Sequence, residues 1–586
     1  MHTRIRRRRS NTVANYYQDN SDIQFHFKNR DLSRVISLVE DDFAESNKYA
    51  YAPKNQEDAL DNYERVLAIV GEISADFVAP RAREVDSTGA QYADGEVAYP
   101  VGLQEAVKRI NQADLAGFIL KRKYGGLNMP TTVFSAAIEI FARADASLPL
   151  IVALQALAAT VEKFGSDDQK ERILPRFASG EMIGSMALTE PDAGSDLQSI
   201  MLKASEQSDG TWQLNGVKRF ITSGCEQFSL VMARSEEGSQ GGRGISLFIY
   251  ERDQDMRIRR IENKLGIKGS PTCELQFTNA KAELLGKRRM GLVKYTMHLM
   301  NSARLAIAAQ AVGIAEGAYQ EANSYAKDRN QFKKAIQDIP IVYEMLTTMR
   351  VNIEAARSML YETSCIVDIK EGIENSIELH PESRAELKSD LSRYTKYASL
   401  FTPLVKRFAA DMANQVCYDA IQVHGGVGFT KEFDAERHYR DVRITSIYEG
   451  TSQLQVVGAI GGVVGGVVFD RLDDYESEND FLEVQTLHKS AQELRACLEA
   501  AVAHIKEKAD PEFQEYHSER LVNIATDTLL AYLLCIDALN SDRKEKVGHL
   551  FIAAALTRAR SNLEFIEADD VSMMEFHADI INKAES

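Results

Sequence analysis

Apolar residues recur at helical spacing through the first part of the chain. Between residues 60 and 183 they lie three to four positions apart in three segments: 63–77, 103–115 and 133–164. Gly125-Gly126 and Asp167-Asp168 mark breaks in this pattern. We therefore expect an N-terminal α-domain over residues 60–183, after an N-terminal extension of residues 1–59.

The pattern changes to short strand-like runs over residues 184–293. Four runs are rich in β-branched and aromatic residues: 212–221, 230–233, 245–250 and 274–277. Within the first run, Asn215-Gly216 predicts a turn. This texture predicts an antiparallel β-domain or barrel over residues 184–293.

Apolar residues recur at helical spacing again from residue 294, and this pattern predicts a C-terminal α-domain over residues 294–469. Small residues from Ala306 to Ala318 form a face that suits close helix packing. A polar insert around Asp368 to Ser389 interrupts this domain. The order α, β, α gives an α+β fold that is mostly α.

The chain continues beyond an acidic stretch, residues 470–480, into further helical texture. Three segments carry it: 482–505, 521–539 and 547–568. We expect an additional C-terminal helical domain over residues 470–586. Its buried face is predicted to include Leu482, Leu487, Leu494, Leu521, Leu529 and Leu530.

Composition excludes several classes of protein. With 586 residues, 44% hydrophobic and 26% charged, the chain is typical of a soluble multidomain protein. The net charge of −17 argues against a nucleic-acid-binding protein. The six cysteines form no Cys-x-x-Cys pair and have no histidine at ligand spacing, which predicts no metal site and reduced thiols in a cytoplasmic protein.

Two segments bear on targeting and membranes. The basic start, Met1 to Ser10, is followed by Asp19 and Asp22 and not by an apolar stretch, which predicts a solvated tail. The uncharged run from Val456 to Phe469 is shorter than the ~20 apolar residues that a bilayer requires. Buried packing or a subunit contact is the favoured interpretation of this run, and a membrane-surface contact is the alternative.

A single carboxylate stands in a setting suited to chemistry. Tyr448-Glu449-Gly450-Thr451-Ser452-Gln453 lies after a glycine cluster, Gln422-Val423-His424-Gly425-Gly426-Val427-Gly428. Apolar neighbours raise the pKa of a carboxylate, and glycine lets a substrate approach the backbone. Glu449 is therefore a candidate general base.

Two loops in the predicted β-domain are suited to a flat, polar ligand. The first is Met186-Ala187-Leu188-Thr189-Glu190-Pro191-Asp192-Ala193-Gly194-Ser195-Asp196, and the second is Lys218-Arg219-Phe220-Ile221-Thr222-Ser223-Gly224. Together with the Glu449 segment, and in this order, they resemble the acyl-CoA dehydrogenase family of flavoproteins over roughly residues 60 to 460. The residues after 470 resemble the long subgroup of that family, which carries a C-terminal helical domain.

The resemblance implies a fold and a reaction. The fold has an N-terminal helical domain, a central antiparallel β-domain and a C-terminal four-helix-bundle domain that carries flavin and catalytic motifs. FAD accepts a hydride from the β-carbon of an acyl-CoA while Glu449 removes the α-proton. Electrons then pass to an electron-transfer flavoprotein, in fatty-acid or acyl-CoA catabolism such as β-oxidation. Ala303 stands where some members carry their base, which leaves Glu449 as the motif-matched base.

The resemblance also assigns binding residues. Those implied for FAD are Met186, Leu188, Thr189, Gly194, Ser195, Phe220, Ile221, Thr222, Arg329, Gln331, Phe332, Gln422, Val423, Gly425, Gly426, Thr451 and Gln453. Those implied for the substrate are Ser195, Asn301, Arg304, Tyr448 and Gly450. Arg329 and Gln422 would reach the FAD of a partner subunit, which predicts a homodimer.

Departures from the family pattern concern individual contacts. Phe220 replaces a tryptophan found in many members, Asn301 replaces an acidic residue, and Ile339 replaces a glutamine on the adenine side. We interpret His424 as a structural histidine, and Arg440 to Arg443 as an orienting ion-pair network.

Three alternatives remain open at this stage. An acyl-CoA oxidase has a similar length and also uses a glutamate, but it passes electrons to oxygen. A flavin-binding homologue without dehydrogenase activity commonly lacks the base that Glu449 supplies. A non-enzymatic helical scaffold is supported only by the C-terminal extension.

Overall fold

The computed structural model of the protein describes residues 14–582 and separates them into two compact units. The first unit contains residues 14–28 and 43–300, and the second contains residues 29–42 and 301–582. The basic tail expected at residues 1–10 lies outside the described residues. The α+β, mostly α fold class is confirmed.

Helices dominate the N-terminal part of the chain. They and one small hairpin are α1 (Ser21–Asn29), α2 (Ser33–Val39), α3 (Gln56–Glu72), α4 (Ala82–Thr88), β1 (Gln91–Ala93), β2 (Glu96–Ala98), α5 (Val101–Gln112), α6 (Thr131–Ala144), α7 (Pro149–Val152), α8 (Gln155–Phe164) and α9 (Asp167–Ala178). The segment 133–164 was expected as one helix but forms three helices, α6, α7 and α8. The first break occurs because Asp145 adopts an extended conformation and accepts a hydrogen bond from the Ser147 backbone N–H at 2.7 Å. A local side-chain hydrogen bond of this kind competes with the backbone hydrogen bonds of a helix.

The β-domain contains seven strands: β3 (Gly184–Ala187), β4 (Lys203–Glu206), β5 (Trp212–Thr222), β6 (Phe228–Arg234), β7 (Ile245–Glu251), β8 (Met256–Ile261) and β9 (Thr272–Leu284). Their order is β3-β6-β4-β5-β9-β7, with β8 on β9, and a further β6–β7 pairing closes the sheet into a ring. Most pairs are antiparallel, but β6 runs parallel to both of its neighbours β3 and β4.

Asn215-Gly216 does not form the predicted turn. Strand β5 continues through it, with a shift of register against β9 between Leu214 and Gly216. Gly216 has φ +144°, and a β-carbon there would lie 3.0 Å from Leu202. The glycine therefore makes a bulge, a role that glycine commonly has within strands.

The second unit is built on long helices. They and a short hairpin are α10 (Met297–Asp328), β10 (Asn330–Gln331), β11 (Lys334–Ala335), α11 (Pro340–Leu379), α12 (Arg384–His424), α13 (Ala435–Val442), α14 (Ser452–Val464) and α15 (Val467–Glu478). The polar insert expected at 368–389 does not interrupt this region; it is the end of α11 and the start of α12. These helix ends pack on α2, where a β-carbon added to Gly372 would lie 2.6 Å from the Leu38 side chain.

The C-terminal extension consists of α16 (Gln485–Lys508), α17 (Pro511–Ala538), α18 (Asp542–Glu567) and α19 (Ser572–Asn582). Five of its six predicted core leucines are buried: Leu487, Leu494, Leu521, Leu529 and Leu530. Leu482 was predicted wrongly, since it lies in a single 3-10 turn and is 73% exposed.

Two apolar segments in the second unit bear on the membrane question. Among the described residues, α17 is the one continuous helix with the length and apolarity of a membrane span, and 89% of its apolar window is buried inside the protein. Helices α14 and α15 meet the same test only as a pair, and they are bent by 66°. In the run from Val456 to Phe469, one side, including Ala459 and Val463, is buried, whereas Val457 is 68% exposed.

Candidate active site

The candidate base occupies a tight loop between a short 3-10 helix, Arg443–Ser446, and α14. Glu449 and Gly450 both have left-handed backbone conformations, with φ +54° and +91°. Thr451 then caps α14 by accepting a hydrogen bond from the Leu454 N–H at 3.3 Å. A non-glycine residue in this conformation is uncommon and is held only where surrounding contacts fix it.

Side-chain donors supply those contacts by bonding to the loop carbonyls. Lys406 Nζ donates to the Gly450 carbonyl at 2.7 Å. Gln455 Nε2 donates to the same oxygen at 2.8 Å and to the Glu449 carbonyl at 3.3 Å. Arg304 Nε donates to the Glu449 carbonyl at 3.4 Å. The loop is thus fixed by three side chains from α10, α12 and α14.

The carboxylate of Glu449 is half-buried and has no hydrogen-bond partner in the part of the chain that the structure describes. Burial raises its pKa above the ordinary value, and the positive charges of Arg304 and Lys406 partly offset that rise. A raised pKa with a free lone pair is the condition that a general base requires.

The neighbours of Glu449 are organised by polar contacts. The Tyr448 hydroxyl donates to Gln310 on α10, and burial raises the pKa of this hydroxyl well above its usual range. Arg304 Nη1 donates to Asn301 at 3.2 Å. Burial also lowers the pKa of Arg304. The predicted substrate residues Asn301, Arg304, Tyr448 and Gly450 therefore lie around the base in one unit.

Sequence reasoning missed Lys406 and Gln455. Lys406 lies 43 positions before Glu449 within the long helix α12 and belongs to no motif. Arg407 follows it directly, so the sequence does not mark Lys406 as an isolated charge that must be buried.

The predicted FAD residues of the second unit form exposed surface. Phe332 at the tip of the β10–β11 hairpin is 84% exposed. Phe429, which was not predicted as a site residue, is 85% exposed. Arg329, Gln331, Gln422 and Gln453 are also exposed. A β-carbon on Gly425 or Gly426 would meet nothing within 4 Å, so the backbone there is open to a ligand. Val423 is buried, which leaves only its backbone available.

His424 has the structural role that its position in the motif suggested. Its Nδ1 pairs with the Ala420 carbonyl at 2.7 Å, and its ring stacks on Tyr325 at 4.5 Å between centroids. In the segment predicted as an ion-pair network, Arg440 pairs with Glu436 at 2.7 Å, while Arg443 donates to Ser446 at 2.6 Å.

The predicted FAD residues of the first unit lie on two adjoining segments, since the Arg219 N–H donates to the Thr189 carbonyl at 2.9 Å. Phe220 has φ +60° and is 52% exposed, which presents an aromatic ring to solvent. Gly194 and Ser195 are exposed, and Met186, Thr189 and Thr222 are half-buried. Leu188 and Ile221 turn their side chains into the core, which leaves only their backbone available.

A buried ion pair holds the first of these segments. Lys218 Nζ donates to Glu190 at 2.8 Å and to the Leu188 carbonyl at 2.7 Å. Glu190 in turn accepts from the backbone N–H groups of Met201 and Leu202 at 2.6 and 3.0 Å. These contacts of Lys218 and Glu190 were not predicted from the sequence.

Each unit by itself presents groups that suit part of a dinucleotide flavin. In the first unit the exposed ring of Phe220 suits stacking on a flat ring. In the second unit the exposed rings of Phe332 and Phe429 do so, and the open glycines allow close approach of the backbone. The exposed Arg329 guanidinium suits a diphosphate.

Four family models match the chain in succession. They are "Acyl-CoA dehydrogenase, N-terminal domain" over residues 61–181, "Acyl-CoA dehydrogenase, middle domain" over 185–280, "Acyl-CoA dehydrogenase, C-terminal domain" over 305–453 and "Acyl-CoA dehydrogenase C terminal" over 464–574. Together they span most of the chain, including the extension.

A curated relative and three solved structures are similar to the chain. The 3-methylmercaptopropionyl-CoA dehydrogenase of Ruegeria pomeroyi is 35% identical over 433 residues, which is 69% of this chain and 70% of that protein. The butyryl-CoA dehydrogenase structure from Megasphaera elsdenii is 30% identical, with a TM-score of 0.59 over 70% of this chain and 99% of that one.

The other two structures extend the comparison. A chain in a structure described as the electron transferring flavoprotein of Acidaminococcus fermentans is 30% identical, with a TM-score of 0.59 over 68% of this chain and 97% of that one. An acyl-CoA dehydrogenase from Bacillus anthracis, complexed with FAD, is 22% identical and shares the fold, with a TM-score of 0.71 over 88% of this chain and 91% of that one.

Proposed function

We propose that this chain, which belongs to the acyl-CoA dehydrogenase family, converts an acyl-CoA thioester to the 2-enoyl-CoA with Glu449 as the base. The chain is an oxidoreductase that acts on acyl-CoA and uses FAD. When bound, FAD accepts the β-hydrogen of the substrate as hydride. The observation that carries the proposal is the free, half-buried carboxylate of Glu449, whose pKa is raised by burial.

The loop supports this role through its backbone as well. Among the described residues, the Glu449 N–H has no backbone or side-chain acceptor, so it is available to a thioester oxygen. Removal of the α-proton moves negative charge onto that oxygen, and a fixed N–H donor stabilises it there. The three donors on the loop carbonyls keep this N–H in a fixed direction. Proton removal and charge stabilisation would therefore come from one residue.

The electron acceptor is proposed to be an electron-transfer flavoprotein. The support is the family, together with the similar chain in the Acidaminococcus fermentans structure. To test it, this protein with bound FAD would be mixed anaerobically with saturated acyl-CoAs of increasing chain length while its flavin absorbance is recorded. We expect bleaching by at least one thioester and reoxidation by an electron-transfer flavoprotein. Fast peroxide formation in air without that acceptor would instead support the oxidase alternative.

We also propose a homodimer in which Arg329 and Gln422 reach the FAD of the partner. The exposed Phe332 and Phe429 and the open backbone at Gly425 support it, because exposed aromatic surface of this kind is typical of an interface. Arg329→Ala is expected to lose FAD on dilution sooner than wild type, with Arg329→Lys intermediate. Sedimentation of the wild type as a monomer with fully bound FAD would contradict the proposal.

A further inference from the structure

Lys406 is a fully buried cation that directly contacts the base loop. It lies on α12 with no exposed surface, and its Nζ donates to the Gly450 carbonyl, next to Glu449, at 2.7 Å. Its ammonium group makes no ion pair with a carboxylate of the described residues; Asp411 and Glu449 act on it only at longer range. A buried charge without a paired counter-ion is costly, so a purely structural role would be served better by an uncharged side chain.

The charged groups that face Lys406 come from three elements. Arg304 on α10 adds positive charge, Asp411 on α12 adds a carboxylate, and Glu449 adds the carboxylate of the loop itself. Asp411 is already engaged, since it accepts from the Ser452 hydroxyl at 2.8 Å and pairs with Arg407 at 3.6 Å. Glu449 is the neighbouring carboxylate that has no such partner.

The contact also fixes the geometry of the base. Glu449 and Gly450 adopt left-handed conformations, which loosen readily when their carbonyls lose their donors. Lys406 shares the Gly450 oxygen with Gln455 at 2.8 Å, so its loss would leave that oxygen one donor rather than none. Lys406 therefore contributes its positive charge more than its hydrogen bond, and this charge adds to the larger effect of Arg304 on the Glu449 carboxyl.

We propose that Lys406 is a positioning residue for the dehydrogenation, which keeps Glu449 ionised by its positive charge and holds the loop through the Gly450 carbonyl. This inference rests on the proposed function, in which Glu449 is the base. Burial alone would keep the Glu449 carboxyl protonated to a higher pH. Arg304 and, to a smaller extent, Lys406 oppose that effect, and Lys406 does so without bonding the carboxylate, which leaves the lone pair free for the α-proton.

The test compares Lys406→Met, Lys406→Arg and a matched control, Lys544→Met. Lys544 is also buried in the second unit, 2% exposed, but it pairs with Glu354 at 3.0 Å and not with the base loop. For each protein, the rate of flavin reduction by acyl-CoA is measured in single turnover from pH 5 to 9. The carboxylate of Glu449 is titrated separately by infrared difference spectroscopy, with Glu449→Gln used to identify its band.

We expect Lys406→Met to move both the acid limb of the rate profile and the carboxylate titration to higher pH. Lys406→Arg should keep both near wild type because it keeps the charge, and Lys544→Met should lower the thermal midpoint without moving either. An unchanged carboxylate titration in Lys406→Met would overturn the inference. A normal reduction rate in Glu449→Gln would instead overturn the proposed function, so the two failures are distinguishable.

Discussion

Each unit of the protein buries one lysine next to a loop that the proposed reaction needs, and the two lysines are held differently. Lys218 in the first unit pairs directly with Glu190 at 2.8 Å, whereas Lys406 in the second unit bonds only a carbonyl. Burial lowers the pKa of each to about 8. The two lysines therefore have similar pKa values but different roles. Lys218 forms an ion pair that holds a loop in place, and Lys406 places a positive charge near the Glu449 carboxylate.

The role assigned to Lys406 requires that Glu449 is the catalytic base. Glu449→Gln keeps the shape of the side chain and removes the basic lone pair. We expect flavin reduction by acyl-CoA to fall about 100 to 10,000-fold, the usual contribution of a general base, with FAD content unchanged. Stopped-flow measurement of flavin bleaching gives the rate. A rate within a few-fold of wild type would place the base elsewhere.

Removing the lysine of the direct ion pair tests the other half of the comparison. Lys218→Met leaves the buried carboxylate of Glu190 with backbone donors only. Breaking a buried pair in this way costs about 3–5 kcal/mol of unfolding free energy. Urea unfolding measures it, and the double variant Lys218→Met with Glu190→Gln should recover part of the loss. No recovery would show that packing, not charge, sets the cost.

Lys406→Met is expected to destabilise the protein less than Lys218→Met. It leaves no paired carboxylate behind, and the Gly450 carbonyl keeps its bond from Gln455. We expect a cost of at most about 1–3 kcal/mol, the contribution of a hydrogen bond from a charged donor, because removal of the buried charge offsets part of it. The same urea titration measures it. A cost equal to that of Lys218→Met would mean that Lys406 is an ion-paired residue after all.

The pH dependence of stability is the smallest effect and the one that both lysines share. Each is protonated in the folded protein only below about pH 8, but in the unfolded chain up to about pH 10.4. Between these values the unfolded state binds more protons, so the unfolding free energy contributed by each lysine rises with pH. We expect a rise of about 1–2 kcal/mol per lysine from pH 7.5 to 9.5, and its loss in each methionine variant. Identical slopes in wild type and variants would contradict it.

The sequence predicted what depends on motifs and periodicity. Helical spacing gave the α-domains and the extension, and the segment around Glu449 gave a candidate base through its resemblance to a family. Asp145 was misread because its local bond to the Ser147 N–H is not visible in the spacing of apolar residues. Gly216 was misread because a bulge depends on pairing with a strand distant in the sequence. Leu482 failed for a related reason, since helical periodicity does not show where a helix begins.

The contacts that Lys218 makes with the Glu190 segment and Lys406 with the Glu449 loop could not be predicted from the sequence. Lys406 belongs to no motif, and Lys218 was noted only as the first residue of the loop from Lys218 to Gly224. The importance of both lysines comes from burial, which is a property of the packed chain. Both lysines stand between a valine and an arginine, so neither is an isolated charge within an apolar segment.

One ion cluster in the second unit bears on how the protein is made. Buried Glu354 on α11 is neutralised by Arg350 nearby and by Arg543 and Lys544 from α18, with Arg543 at 2.9 Å and 189 positions further along the chain. A ribosome adding 5–20 residues per second reaches those cations about 10 to 40 seconds after Glu354 has been synthesised. Throughout that interval α11 carries a carboxylate that cannot be buried with its full complement of positive charge. The helices that pack on α11 therefore acquire this full set of ion pairs only after α18 has been synthesised.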